Sequence, residues 1–319
     1  MRALVTGGAG FIGSHLVDRL LDIGLDVRVL DNFSTGHRSN LAAVAEDVEV
    51  IEGDVQSLDR VRRAVRGCDL VLHQAALPSV PRSIVDPLTS HACNVTGTLN
   101  MLLAARDANV ERVLFASSSS VYGSTNELPK HESMVPLPIS PYGVAKLAAE
   151  RYCHSFYITY GMETVSLRYF NVFGPRQDPL SEYSAVIPTF IARYCDGQPP
   201  TINGDGEQSR DFTWIGNVVD ANIAALDARD VAGCVYNIAC GEGVTLNRLA
   251  TELREQTGAQ VEPVHGPPRF GEVRHSVADV TSAREQLGYA PSISLSEGLR
   301  ATVAAYVDSP APAFAAVSP

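Results

Sequence analysis

Three glycines at three-residue intervals, Gly7, Gly10 and Gly13, mark the boundary between a short apolar run over residues 2–6 and a stretch with helical spacing over residues 11–23. A second apolar run follows over residues 26–31. Strand, glycine turn, helix and strand in that order leave few choices of fold. A backbone without Cβ atoms can approach a pyrophosphate closely, and a helix N-terminus offers the anion unpaired N–H groups and a positive dipole end. The chain therefore opens by building a dinucleotide site. Asp31 closes the second strand, about twenty residues beyond the glycines, where a carboxylate suits the ribose hydroxyls and repels a 2′-phosphate. Asn32 follows where a basic residue would favour the phosphorylated cofactor, so NAD is expected over NADP. Asp54 and Val55 close the third strand, where an acid can receive the adenine amino group, and Ala75 and Ala76 after the fourth are small enough to let the cofactor pass.

The same rhythm continues. Strand-like runs over residues 48–53, 69–72, 112–117 and 163–168 alternate with amphipathic helices over 58–65, 87–108 and 141–160. That alternation predicts a doubly wound parallel α/β sheet spanning residues 1–171. It breaks after Arg168. A turn over 174–179, a helix over 185–194, a turn at 204–206, a short strand over 211–214 and helices near 218–228, 246–257 and 282–286 predict a smaller mixed α/β lobe over 172–308. Part of the chain near 211–240 is expected to return to the first domain. The Pro/Ala-rich residues 309–319 read as a disordered tail.

A net charge of -11 argues against a nucleic-acid surface, which wants a basic stripe. No run of about 18 apolar residues is present, so no membrane partner is expected. The first strand begins almost at Met1, leaving no room for a signal peptide, and a cytoplasmic setting is expected. Six scattered cysteines (Cys68, Cys93, Cys153, Cys195, Cys234, Cys240) read as reduced thiols, with no metal site.

The second informative stretch is Ser140-Pro-Tyr-Gly-Val-Ala-Lys146. Ser140 can cap a helix whose first residue, Pro141, has the preset φ that position tolerates. Tyr142 and Lys146 then stand at i and i+4 on one face. A phenol near pKa 10 is a poor base, and a neighbouring ammonium together with an oxidised nicotinamide is expected to lower it towards the working range. Ala116-Ser-Ser-Ser-Ser-Val-Tyr-Gly123 ends another strand, at the edge where α/β sheets bind ligands. A serine hydroxyl there can bridge the tyrosine and a substrate oxygen.

On Thr6–Gly13, Asp31, the serine run before Val121-Tyr-Gly123, Tyr142…Lys146, Arg168-Tyr-Phe-Asn-Val-Phe-Gly-Pro-Arg176 and Gly204-Asp-Gly…Arg210-Asp-Phe, the chain resembles the extended short-chain dehydrogenase/reductase family, and within it the nucleotide-sugar 4-epimerases. The resemblance runs from Met1 to about Tyr306 and implies a Rossmann-type first domain and a substrate-binding lobe. It implies Ser118, Tyr142 and Lys146 as the catalytic group, and Phe11, Ile12, Asn94, Ser117 and Phe170 beside the glycines along NAD. For the substrate it implies Arg210 and Arg269 as diphosphate clamps and Asn171 near the diphosphate. Ile187, Thr201 and Asn203 are placed around uracil, and Ser119 and Glu272 are among the residues that bind the substrate. Ser276 stands where restrictive relatives carry a bulky tyrosine, which leaves room for a C2 N-acetyl group. The stretch from Glu272 to Asp279 is most similar to UDP-N-acetylhexosamine epimerases. Arg176 occupies the position where uronate epimerases hold a C6 carboxylate, although those relatives often carry threonine in place of Asn171. A lysine of several galactose-type enzymes is Pro78 here, and the usual Ala-Thr after the active serine is Ser119-Ser120. Sugar 4,6-dehydratases carry Asp-Glu after that serine or threonine, and decarboxylases carry Glu at the position of Ser120.

The resemblance thus implies an NAD-dependent UDP-sugar 4-epimerase acting through a transient 4-keto sugar. Its substrate is one of the glucose, N-acetylglucosamine or glucuronate pairs, and its form a homodimer through the 87–108 and 141–160 helices. A reductase or dehydratase of the same family and a non-catalytic NAD-binding protein are the alternatives.

Overall fold

A computed structural model of the chain describes residues 1–178, 185–268 and 273–308. Its central sheet pairs β1 (Arg2–Thr6), β2 (Asp26–Asp31), β3 (Val48–Glu52), β4 (Leu70–His73), β5 (Arg112–Ser118), β6 (Glu163–Tyr169) and the Val235–Ile238 strand. All neighbours run parallel, in the order Val235–Ile238, β6, β5, β4, β1, β2, β3. From β1 the chain winds one way through β2 and β3, then crosses to β4 and winds the other. The crevice beyond the carboxyl ends of β1 and β4 is the switch point of such a sheet.

These strands are largely apolar because helices cover both faces, except at the edge, where β3 exposes Glu49, Val50 and Glu52. On one face α1 (Phe11–Asp22) presents Leu16, Val17 and Leu20 to Val218, Ala221 and Ala225 of the Ile215–Asp227 helix. On the other, α2 (Leu58–Val65) and two later helices bury Val61, Met101, Leu102, Ala149 and Phe156. Arg112 joins the returning segment to the sheet. Its Nη1 donates to the carbonyls of Ala225, Leu226 and Ala228, closing the C-terminal end of the Ile215–Asp227 helix.

Several segments depart from the sequence reading. The helix expected over 87–108 is built as α4 (Pro87–His91), a π turn over Ala92–Thr96 and α5 (Gly97–Asp107), preceded by an unforeseen α3 (Val80–Val85). At the π turn Thr98 Oγ1 donates to the Asn94 carbonyl at 2.7 Å, and the buried Asn94 side chain is bonded to the backbone of Leu77. The Val235–Ile238 strand and a Leu295–Asp308 helix were also not foreseen. The 141–160 helix, α6 (Pro141–Tyr160), has the expected ends: Ser140 Oγ accepts from Gly143 N at 3.1 Å, and Gly161 closes it at φ +68°.

The remaining chain packs around Phe190, Ile191, Tyr194, Ile202, Leu249, Leu253 and Leu299. A short strand there, Thr213–Trp214, pairs parallel with Val172–Phe173. No helix among the described residues is long and apolar enough to cross a membrane, and the expected tail over 309–319 lies outside the described residues.

Candidate active site

A cavity of about 600 Å³ opens at the switch point. Its floor is the glycine turn. Gly7 sits at φ +68°, and a Cβ there would stand 2.8 Å from the Ala75 backbone; a Cβ on Gly13 would stand 2.1 Å from the Gly7 carbonyl oxygen. Neither position tolerates a side chain, because the β1 turn, the start of α1 and the loop after β4 meet at van der Waals distance. No side chain caps the first turn of α1. Its N–H groups are left for a ligand.

Asp31 is buried at the cavity wall, its Oδ2 accepting from Ala9 N at 2.9 Å and its Oδ1 from Phe33 N at 2.8 Å. Each oxygen keeps a lone pair for a ribose hydroxyl. Gly10, Phe11, Ile12, Asn32, Val55, Ala75, Ala76, Ser117, Tyr142, Lys146 and Arg176 line the same space. Asp54 stands just behind, accepting from Asn32 Nδ2 at 2.8 Å and capping the Gln56 amide. Asn94 acts at one remove: Oδ1 accepts from Leu77 N at 2.9 Å and Nδ2 donates to Leu77 O at 3.1 Å, fixing the loop after β4.

At the far end α6 presents Tyr142 and Lys146 one turn apart. Lys146 is buried, its Nζ donating to the Ala116 carbonyl at 2.7 Å and standing 5.0 Å from the Phe115 ring centre and 5.9 Å from that of Tyr142. Burial lowers its pKa to about 8. The protein's own groups move the phenol of Tyr142 upward, and the lowering expected of it depends on the charge of an oxidised nicotinamide. Burial pushes the phenol up to about 12, only partly offset by its hydrogen bond to the Ser118 hydroxyl. Lys146 does not offset it because its ammonium is turned to Ala116. Ser118 Oγ also donates to Ser120 Oγ at 3.1 Å and accepts from Ser120 N at 3.2 Å, at the start of the turn that Ser119 opens.

Ser117 is committed elsewhere, donating to Glu150 Oε2 at 2.9 Å. Glu150 is itself paired with buried Arg168, at 2.7 and 2.9 Å. Ser118 and Ser119 are not among the lining residues of the cavity, and Phe170 and Ile187 do not offer their side chains to it. Phe170 is wholly buried, packed on Tyr122 with ring centres 6.1 Å apart, and Ile187 lies in the core of the smaller lobe. Arg176, at φ +66°, holds Asp18 of α1 at 2.8 Å.

Of the remaining expected substrate residues, Ser276 is in register with Arg210 on a parallel pair of short strands, and Asn171 donates to the Asp211 carbonyl at 3.2 Å. Thr201 and Asn203 lie on the edge strand paired with Val264–Gly266. Arg269 and Glu272 lie outside the described residues. Sequence reasoning missed Ser34, Thr35, Gly36 and His37, which wall the cavity beyond Asp31, and Gln74 at the end of β4. A run of turn-forming residues directly after the ribose acid was the available signal.

The model of the NAD dependent epimerase/dehydratase family matches residues 3–239. The chain belongs to this family. Members share the hydride-transferring cofactor NAD, and this member is an NAD-dependent enzyme. The glycine cradle, uncapped helix and aimed Asp31 carboxylate fit that group. The UDP-glucose 4-epimerase of Mycolicibacterium smegmatis is 38% identical over 307 residues, 95% of this chain and 97% of the relative. The crystal structure of the Thermotoga maritima UDP-glucose 4-epimerase with UDP-glucose superposes with a TM-score of 0.92 at 39% identity, covering 96% of this chain and 99% of that one. A UDP-N-acetylglucosamine 4-epimerase from Methanobrevibacter ruminantium, in complex with UDP-N-acetylmuramic acid, gives the same TM-score and identity over 96% and 98%. More distant relatives include a UDP-sugar decarboxylase and a dTDP-glucose 4,6-dehydratase.

Proposed function

We propose that the chain is a UDP-sugar 4-epimerase that inverts C4 through a transient 4-keto sugar. The observation that carries this reading is the company of Tyr142. The phenol meets a serine hydroxyl and has no spare carboxylate beside it. The positions where a dehydratase carries Asp-Glu are Ser119 and Ser120, and Ser120 is bonded to Ser118. Glu150, the acid one turn beyond Lys146, is tied to Arg168 and Ser117. Among the described residues the acids lining the cavity are Asp31, held by two amides, and Asp178, facing His37. Among the described residues, none is placed to move protons across C5–C6 or to assist loss of a carboxylate.

NAD, when bound, takes the C4 hydride and gives it back. The chain's own part is to hold the sugar and handle one proton. Tyr142 Oη exchanges it with the 4-hydroxyl, and Ser118 hydrogen-bonds alongside. The buried phenol is neutral in the free protein, and an opposite charge brought within about 4–6 Å is what favours its phenolate. Lys146 anchors that end of the site through Ala116.

For the sugar, Ser276 leaves space at C2, so both UDP-glucose and UDP-N-acetylglucosamine fit this reading. The Arg176–Asp18 pair weighs against a uronate, whose carboxylate would compete with Asp18 for the guanidinium. A homodimer is part of the same proposal, supported by exposed Ile84, Val85 and Leu88 on α3 and α4, and Val144 on α6, against which both helices pack. Replacing Tyr142 with Phe tests the chemistry: turnover of UDP-sugars should fall by at least about 100-fold while NAD stays bound. Near-normal turnover would overturn the assignment.

A further inference from the structure

Arg210, Ser276 and Asn171 sit on three separate stretches of chain that meet at one residue, Asp211, whose carboxylate is wholly buried. Asp211 Oδ1 accepts from Cys240 N at 2.9 Å. Oδ2 accepts from Gly241 N at 3.0 Å and from Ala278 N at 3.1 Å. Its backbone carbonyl accepts from Asn171 Nδ2, and its chain neighbour Arg210 lies in register with Val244 on one side and Ser276 on the other. One side chain therefore fixes the turn after the Val235–Ile238 strand, the segment two residues beyond Ser276, and the strand bearing Arg210.

We infer that Asp211 is the positioning residue of the nucleotide-sugar half of the site, and that its ionised carboxylate sets substrate affinity. The inference rests on the UDP-sugar reading above. The chemistry is specific to an anion. An ionised carboxylate accepts all three N–H bonds, whereas a protonated acid or an amide presents a donor on one oxygen or nitrogen and turns it against a backbone N–H. The Ala278 amide or the Cys240–Gly241 turn must then shift. Ser276 and Arg210 shift with it.

Burial raises this carboxyl to about 6, against the lowering effect of the three amides. The titratable groups that face it are Glu242, the Cys240 thiol and the Tyr289 phenol, while Arg210 Nη1 is turned to the carbonyls of Ser209 and Arg274. Because the folded pKa lies above the unfolded one, protonation of this group does not weaken the fold as pH falls. Acid thus changes affinity without unfolding through Asp211, and a merely structural role would not produce that separation.

The experiment measures UDP binding by calorimetry, and KM for UDP-glucose, on NAD-loaded protein from about pH 8 down to about pH 5. The wild type should bind about tenfold more weakly at the acid end, with no matching fall in melting temperature. Asp211→Asn should bind about tenfold more weakly at pH 8 and lose the pH dependence, with NAD content and kcat little changed. His275→Asn, which removes the imidazole bonded to Ser209 Oγ, should keep the dependence and guards the result should the first variant fail to fold. A flat wild-type profile, or wild-type affinity in Asp211→Asn, overturns the inference alone. Failure of the wild type to bind UDP or any UDP-sugar overturns the substrate reading and this inference together.

Discussion

Burial of the Lys146 ammonium has a stability cost that a single substitution should recover. The side chain is 3% exposed, and its pKa falls from 10.5 to about 8. At about 1.4 kcal/mol for each tenfold change in proton affinity, keeping it charged in the folded state costs about 3 kcal/mol. Lys146→Met keeps the length of the stem and removes the charge. It also removes the 2.7 Å bond to Ala116 O, worth about 1 kcal/mol net, and the contact with Phe115, worth about 0.5–1 kcal/mol. The variant should therefore be inactive yet about 1–2 kcal/mol more stable at pH 7. The sign with pH follows from a folded pKa below the unfolded one. Below about pH 8 the full cost is present, between there and 10.5 the folded lysine sheds its proton and the cost declines, and above 10.5 it is gone. Thermal unfolding of NAD-stripped protein, compared pairwise from about pH 7 to about pH 10, reads this as a gain of about 2–4 °C that shrinks with rising pH. A variant no more stable than wild type at pH 7, or a gain independent of pH, would refute the reasoning.

Two further substitutions test the scaffold. Glu150→Gln leaves the buried Arg168 guanidinium without its counter-charge and should lower stability by about 3 kcal/mol or more, read by denaturant unfolding. Gly13→Ala drives a Cβ to 2.1 Å from the Gly7 carbonyl oxygen, so the turn must open; purified protein should carry little NAD by cofactor release, while far-ultraviolet circular dichroism stays close to wild type.

The parts legible in the sequence are those governed by local rules. Gly7 and Gly13 announce the cradle because no other residue avoids the backbone crossings there, and Ser140-Pro141 announces α6 because both caps are local. Parallel strands with helices on both faces read as apolar runs, so β1, β2, β4, β5 and β6 were visible, and edge strand β3 was visible although it carries Glu49 and Glu52. The strands of the smaller lobe are two or three residues long and held by pairings such as Arg210 with Ser276, 66 positions apart, which leave no periodicity. The π turn at Ala92–Thr96 carries the Asn94 amide to Leu77, a tertiary contact that leaves no mark on the local pattern. Ser117 belongs to a strand end that reads as ligand-facing, yet Glu150 claims its hydroxyl. For a related reason, Lys146 contributes less to the Tyr142 shift than the spacing suggests. Adjacency at i and i+4 says that Lys146 is near, but burial and the Ala116 carbonyl decide where its charge points.

The central claim is C4 inversion with NAD retained by the protein. Purified protein without added NAD would be given UDP-glucose, UDP-N-acetylglucosamine and UDP-glucuronate in separate samples, with the anomeric protons followed by NMR. The account predicts signals of the galacto-configured product from the first two, with little from the uronate. All three substrates unchanged, even after NAD is supplied, would contradict it.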